Sequence, residues 1–244
     1  MASTRRILLT SLIGLGMLTS WRGGTGPLRA ALAAPIRLPD TSLRLERVLE
    51  REVGGDAMVR VRRSWEVFFE RLGRGITVTG RQTGAEVNAP PNLAALAQIE
   101  RQRDTSAMFP LLLGEDGMIL PTPGRLEDED SVTAAVRTAE SMIAEQPVSR
   151  AERERHRFYL AQVHAAGNNL LDTFPPDLFF PLGIPVERSE AVALPDGLLG
   201  RFTLSYHARP QGDAPWLAHA ERRVRSEVGG LVRSAGEVWR LSSG

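Results

Sequence analysis

The stretch Leu43–Val87, LRLERVLEREVGGDAMVRVRRSWEVFFERLGRGITVTGRQTGAEV, decides how the rest of the chain is read. Apolar residues at Leu43, Leu45, Leu49 and Val53 fall on alternate positions, the period of a strand with one dry face. Gly54-Gly55 interrupts the run, and Met58–Glu70 carries it back through Trp65, Val67 and Phe69. Paired glycines between strand-like runs signal a hairpin, because tight turns that match strand twist need positive φ. Leu45, Val48, Leu49, Glu52 and Val53 also fit helical spacing. The strand reading is preferred because Gly54-Gly55 and the alternating Val59-Arg60-Val61 follow directly.

Working outward, Gly73–Gly75 is a second turn and Ile76-Thr77-Val78-Thr79 is β-branched and alternating. Gly80–Gly84 leaves room for a bend or bulge. Asn92 is a candidate N-cap for a helix to about Arg103. Phe109–Leu113 and Met118–Leu120 flank Gly114-Glu115-Asp116-Gly117 as a further hairpin. A helix is expected over Ser131–Glu145, where the preceding acids Glu127–Asp130 complement its dipole. A second follows from the capping box Ser149/Glu152 to about Ala166, making an αα-hairpin at Pro147. The C-terminal part is sheet again. Phe202, Leu204, Tyr206 and Ala208 alternate with polar residues, as do Ala218, Ala220, Val224 and Val228, and Gly229-Gly230 turns the chain into Leu231–Leu241. Glu46-Arg47 and Glu52-Val53-Gly54-Gly55 are echoed by Glu221-Arg222 and Glu227-Val228-Gly229-Gly230, which we attribute to convergent hairpin chemistry.

These elements predict an α+β fold: a curved antiparallel, half-barrel-like sheet with about three helices packed on its concave face. The 244 residues and 42% hydrophobic content suit one domain over residues 34–244. The order of strand run, helix, hairpin, helix pair and strand run is similar in outline to the periplasmic half-barrel lipoprotein and lipid carriers. The resemblance is architectural, involves no family motif, and transfers no functional residue.

The first 33 residues read as a cleaved signal peptide. Arg5-Arg6 precedes an apolar run, Ile7–Leu18, too short for the roughly 20 residues of a membrane span. A small-residue exit follows at Ala31-Leu32-Ala33. Thr4–Leu9 resembles the twin-arginine export signal but has Thr10 where a lysine is common, and a general secretory signal stays open. The chain is thus expected to be exported to the periplasm and not to be transmembrane. Cleavage removes four arginines and no acid, leaving 30 − 4 = 26 basic residues against 29 acids, a net charge of −3. That balance gives no electrostatic reason to bind nucleic acid.

Without cysteine there is no disulfide, thiolate metal site or thiol nucleophile. His156 and His164 are eight apart with no acid between, unlike a zinc-protease helix, and no nucleophile elbow or phosphate loop is present. No catalytic residue, metal ligand or cofactor is therefore assigned. The unusual segment is Leu170–Pro185, LLDTFPPDLFFPLGIP, too proline-rich for a regular element and too apolar for an ordinary loop. Its Leu170, Phe174, Leu178, Phe179 and Phe180 are candidate contacts for a lipid or other apolar ligand, with the segment as a lid. In the alternative, these side chains simply fill the core. The leading expectation is a non-enzymatic envelope protein binding a lipid. An accessory protein acting on an envelope partner is the second, and an unrecognised hydrolase or isomerase the third.

Overall fold

Eight strands form one antiparallel sheet in the order β4-β3-β2-β1-β8-β7-β6-β5. They are β1 Leu43–Glu52, β2 Met58–Leu72, β3 Gly75–Asn88, β4 Leu111–Leu113, β5 Val186–Ala193, β6 Leu199–Gln211, β7 Ala214–Val228 and β8 Leu231–Ser243. The computed structural model describes residues 35–52, 57–121, 136–141 and 152–244, with side chains for all but 152, 153, 169, 170 and 196. The signal segment, Gly54-Gly55, the acids Glu127–Asp130, and the Ser149 cap with Pro147 lie outside the described residues.

Two four-stranded meanders meet where β1 pairs with β8, from Leu43 opposite Ser243 to Arg51 opposite Ala235. The end strands β4 and β5 do not pair with each other, so the sheet is open. The alternation that marked β1 sets its register against β2, with Leu45 opposite Trp65 and Leu49 opposite Val61. Gly73 turns β2 into β3 at φ +60°, a conformation that side chains with a Cβ rarely adopt. The expected irregularity near Gly80–Gly84 is a bulge: Ser64 faces Gly84 while Trp65 faces Gln82, which leaves Thr83 unpaired.

The first helix begins differently from expectation. Pro91–Leu93 forms a 3-10 turn, α1 runs Ala94–Gln102, and Asn92 makes no capping bond. Proline fixes φ at helical values and lacks an N–H, so Pro90-Pro91 starts the turn one step before Asn92 could cap it. Residues 136–141 form α2, and Glu152–Asn168 forms α3. None of the helices among the described residues is long and apolar enough to cross a membrane.

One face of the sheet is dry. Leu45, Trp65, Val67 and Trp239 meet Phe179 in one cluster. Val224, Val228 and Phe202 meet Leu160 and Val163 of α3 in another. The opposite face is a lattice of exposed charge, with Arg60–Glu50 at 3.4 Å and Arg81–Glu66 at 2.8 Å. Pairs of that kind contribute at most about 1 kcal/mol each, so burial on the dry face holds the sheet. Gly167 lets α3 approach it: a Cβ there would lie 2.2 Å from the Phe202 ring and 2.9 Å from Val224. Gly167→Ala is therefore expected to lower stability by about 1 to 3 kcal/mol through overpacking, measured by urea denaturation. Helix propensity alone would predict a small gain.

Candidate functional site

Along β1 the dry-face positions are Leu43, Leu45, Arg47, Leu49 and Arg51, so two arginines interrupt the apolar stripe. Their counterpart on β7 is Arg222, between Ala220 and Val224. Arg47 and Arg222 meet at Glu237 of β8, which is 1% exposed. Arg47 Nε donates to one Glu237 carboxylate oxygen at 2.6 Å and Arg222 Nε to the other at 2.8 Å. The remaining guanidinium nitrogens turn to the chain that crosses above them. Arg47 Nη2 donates to the Leu171 carbonyl, and Arg222 Nη2 to the Thr173 carbonyl at 2.6 Å. Arg51 Nη2 bonds Asp172 at 2.8 Å. The guanidinium of Arg47 also lies 4.8 Å from the Trp239 ring centroid, over its face. Burial draws the Arg47 pKa down, and Glu237 opposes it.

Thus the Leu170–Pro185 segment is fastened to the dry face by polar contacts before its apolar side chains are counted. Asn169–Asp172 is a 3-10 turn, with the side chain of Leu170 outside the described residues. Phe174 packs on Trp239 at 5.3 Å between ring centroids, and on Phe109 and Phe179. Leu178 and Phe179 are wholly buried and Phe180 nearly so. Phe69 meets the rings of Phe179 and Phe180 edge-on at 5.5 and 5.9 Å. Four of the five candidate contacts are thereby brought together against one aromatic wall. Asp177 finishes the anchorage, accepting from the Tyr206 hydroxyl at 2.7 Å and from the Leu182 N–H at 3.1 Å. Burial first, and the Asp177 carboxylate second, raise the Tyr206 pKa well above its ordinary value. The hydroxyl is a fixed donor rather than a base.

The same segment reaches both sides of the sheet. The Ile119 N–H donates to the Pro176 carbonyl at 2.7 Å, and the Leu217 N–H to the Phe179 carbonyl at 3.0 Å. Ile119 lies beside β4, through its bridge to Leu113, whereas Leu217 belongs to β7.

A second polar group lies under α3. His164 is 3% exposed, and its Nδ1 is 3.5 Å from the Ser226 hydroxyl. Among the described residues its Nε2 has no partner, nor has Asn168 Oδ1 one turn later, and both atoms are buried. Burial, reinforced by the Arg233 charge, lowers the His164 pKa to about 4. An unfolded histidine takes up its proton near pH 6.5, so between pH 6.5 and 4 the unfolded chain binds more protons than the folded one. Stability contributed by neutral His164 is full above pH 6.5 and falls as the pH drops toward 4. The loss is on the order of 2 to 3 kcal/mol at the acid end. Denaturant titrations of wild type and His164→Gln at several pH values test this. The wild-type curve is expected to fall more steeply over that window, and parallel curves would refute it.

Among the described residues no three His, Asp or Glu side chains gather as a metal site. His207 and His219 stand on the charged face, opposite Glu221 and Arg209. The sequence reading missed the interior arginines and Glu237. Their one trace was the Glu-Arg echo at 46–47 and 221–222, whose two arginines grip the same carboxylate from strands on either side of β8. The chain matches no protein-family model, and no curated protein is significantly similar to it.

Proposed function

We propose that this chain is exported to the periplasm after removal of residues 1–33, and that it binds a lipid or other apolar molecule without changing it chemically. The observation that carries the reading is the path of Pro176–Phe179. Six inter-strand steps separate Ile119 from Leu217 in the sheet order. In a flat sheet they would stand roughly 29 Å apart at about 4.8 Å per step. Three residues of extended chain and two hydrogen bonds span at most roughly 17 Å. The contacts at both ends favour a sheet rolled around the segment, half-barrel fashion. Phe202, Val224 and Ala235, which α3 covers, point to the same side as Ala208, Ala220 and Trp239. That supports a concave-face position for α3.

A rolled sheet encloses an apolar interior, and here one segment fills much of it. Burying Phe174, Leu178, Phe179 and Phe180 contributes roughly 6 to 12 kcal/mol at 1.5 to 3 per side chain. An acyl chain of about 14 methylenes, at ~0.8 kcal/mol each, contributes a similar amount. Exchange of filling for ligand is thus near balance, and prolines 175, 176, 181 and 185 bracket the part that would move. The test is native mass spectrometry of protein taken from its own periplasm without detergent. A mature chain beginning at Ala34 and carrying an acyl-sized adduct is the expected result. A ligand-free protein that also fails to bind a fluorescent fatty acid would overturn the reading.

The accessory-protein reading has one observation of its own. On the charged face, exposed Phe68 of β2 and Leu112 of β4 flank Thr79 and Thr77 of β3, and the exposed Leu120 donates its N–H to the Leu112 carbonyl. Photocrosslinking from position 112 in cells would capture an envelope partner if that surface is the working one.

A further inference from the structure

Three buried donors on the dry face, Arg51 Nε, Arg63 Nη1 and Trp239 Nε1, have no partner among the described residues, and the last two fall on one line across the sheet. Ala85, Arg63, Arg47, Trp239 and Ala220 are directly opposite one another across β3, β2, β1, β8 and β7. Arg63 is 6% exposed and Trp239 1%. Arg63 Nη2 donates to the Glu100 carbonyl at 2.6 Å and to its carboxylate at 3.0 Å, but Arg63 Nη1 is buried without a partner. Trp239 Nε1 is likewise buried and unpartnered. Between them, Arg47 is committed to Glu237 and the Leu171 carbonyl. Glu237 does not serve the orphans: each of its oxygens already meets both Nε and Nη2 of one arginine, Arg47 or Arg222.

Two buried N–H groups without acceptors, on either side of a further cation, are costly to leave dry. Arg63 and Arg47 are moreover like charges directly opposite on paired strands, an unfavourable arrangement in which each has its own carboxylate, Glu100 and Glu237, and they share none among the described residues. The surroundings are apolar and aromatic: Trp65 stacks on Trp239 at 6.3 Å, and Phe174 packs on the other side. Apolar surroundings with a few buried donors favour a ligand that is apolar at one end and accepts hydrogen bonds at the other.

We infer that the ligand is an anionic amphiphile whose carboxylate is received by the Arg63–Arg47–Trp239 row, with its hydrocarbon tail among the neighbouring rings. This rests on the apolar-ligand reading above and sharpens it: a neutral lipid offers the row only uncharged acceptors, whereas a long-chain carboxylate supplies a charged one.

The experiment compares a 16-carbon fatty acid with the 16-carbon alcohol of the same chain, by calorimetry at pH 7.5. It uses the full mature protein as wild type, Arg63→Gln and Trp239→Phe. Wild type is expected to bind the acid about tenfold or more tightly than the alcohol, the usual advantage of a charge-assisted pair. Arg63→Gln is expected to bring the two affinities within about threefold while the alcohol is held as before. Trp239→Phe keeps one aromatic ring and removes the indole N–H with its five-membered ring, so it gives the same direction of change should Arg63→Gln not fold. Equal binding of acid and alcohol by wild type would overturn the inference, the row then being satisfied by water, and leave the apolar-ligand reading standing. Binding of neither compound would remove that reading and the inference with it.

Discussion

Glu237→Gln is expected to destabilise the protein by about 3 to 5 kcal/mol, the range for breaking a buried charge pair from one side. The change is nearly isosteric, so no cavity adds to it. Glu237 lies between two guanidinium groups that are themselves largely buried, Arg222 at 7% exposure and Arg47 under the 3-10 turn. Neutralising the carboxylate leaves two cations facing each other across one strand with only neutral acceptors. The effect should also spread, because the same arginines hold the Leu171 and Thr173 carbonyls in place. Surface pairs give the contrast: Arg74 meets Glu115 at 2.7 Å, but both are well exposed, and Arg74→Gln should change stability by less than about 1 kcal/mol. Urea titrations of both variants decide the matter. A Glu237→Gln loss under 1 kcal/mol would mean that water reaches the carboxylate and that the site is not the dry junction described here. Replacing Glu237, Arg47 and Arg222 together by apolar residues of similar volume should recover most of the loss, because the attraction within such a triad little more than offsets its desolvation.

This junction marks the boundary of what sequence could reveal. Strands β1, β2, β3, β6, β7 and β8 were legible because one face alternates and glycines punctuate the ends. Periodicity registers only apolar residues, so Arg47 and Arg222 entered the pattern as gaps in it. An inward arginine looks like a fault in the stripe until its carboxylate is located, and Glu237 is fifteen residues from Arg222 and 190 from Arg47. Strand β5 was missed for a different reason. Val186–Ala193 is exposed at every position except Val192, as befits an edge strand defended by charge, and exposure on both faces leaves no alternation to read. Asn92 failed as a cap because proline chemistry acted first. The aromatic content of Leu170–Pro185 was visible, but its attachment was not. Guanidinium bonds to backbone carbonyls leave no mark in the sequence of the segment that accepts them.

Phe179→Ala gives the other large effect and separates the two readings of the segment. Phe179 has no exposed surface and touches Phe69 and Phe174. Truncation to alanine removes its burial and leaves a void that the strands on either side, fixed by their ladders, close only in part. The expected loss is about 3 to 5 kcal/mol. If the ring is permanent core, nothing else changes. If it occupies space that an acyl chain takes over, the void is already opened in the variant. Fatty-acid affinity should then rise by about tenfold for each ~1.4 kcal/mol that no longer has to be displaced. Val224→Ala serves as the control. Val224 is as fully buried, but it packs in the other cluster beneath α3, so it should lower stability without raising affinity. Both quantities come from the same samples, a denaturation midpoint and a binding isotherm. A weaker Phe179→Ala fold with tighter fatty-acid binding identifies the segment as displaceable filling. Loss of stability with unchanged binding assigns Phe179 to the permanent core and confines any ligand to the space beside Arg63 and Trp239.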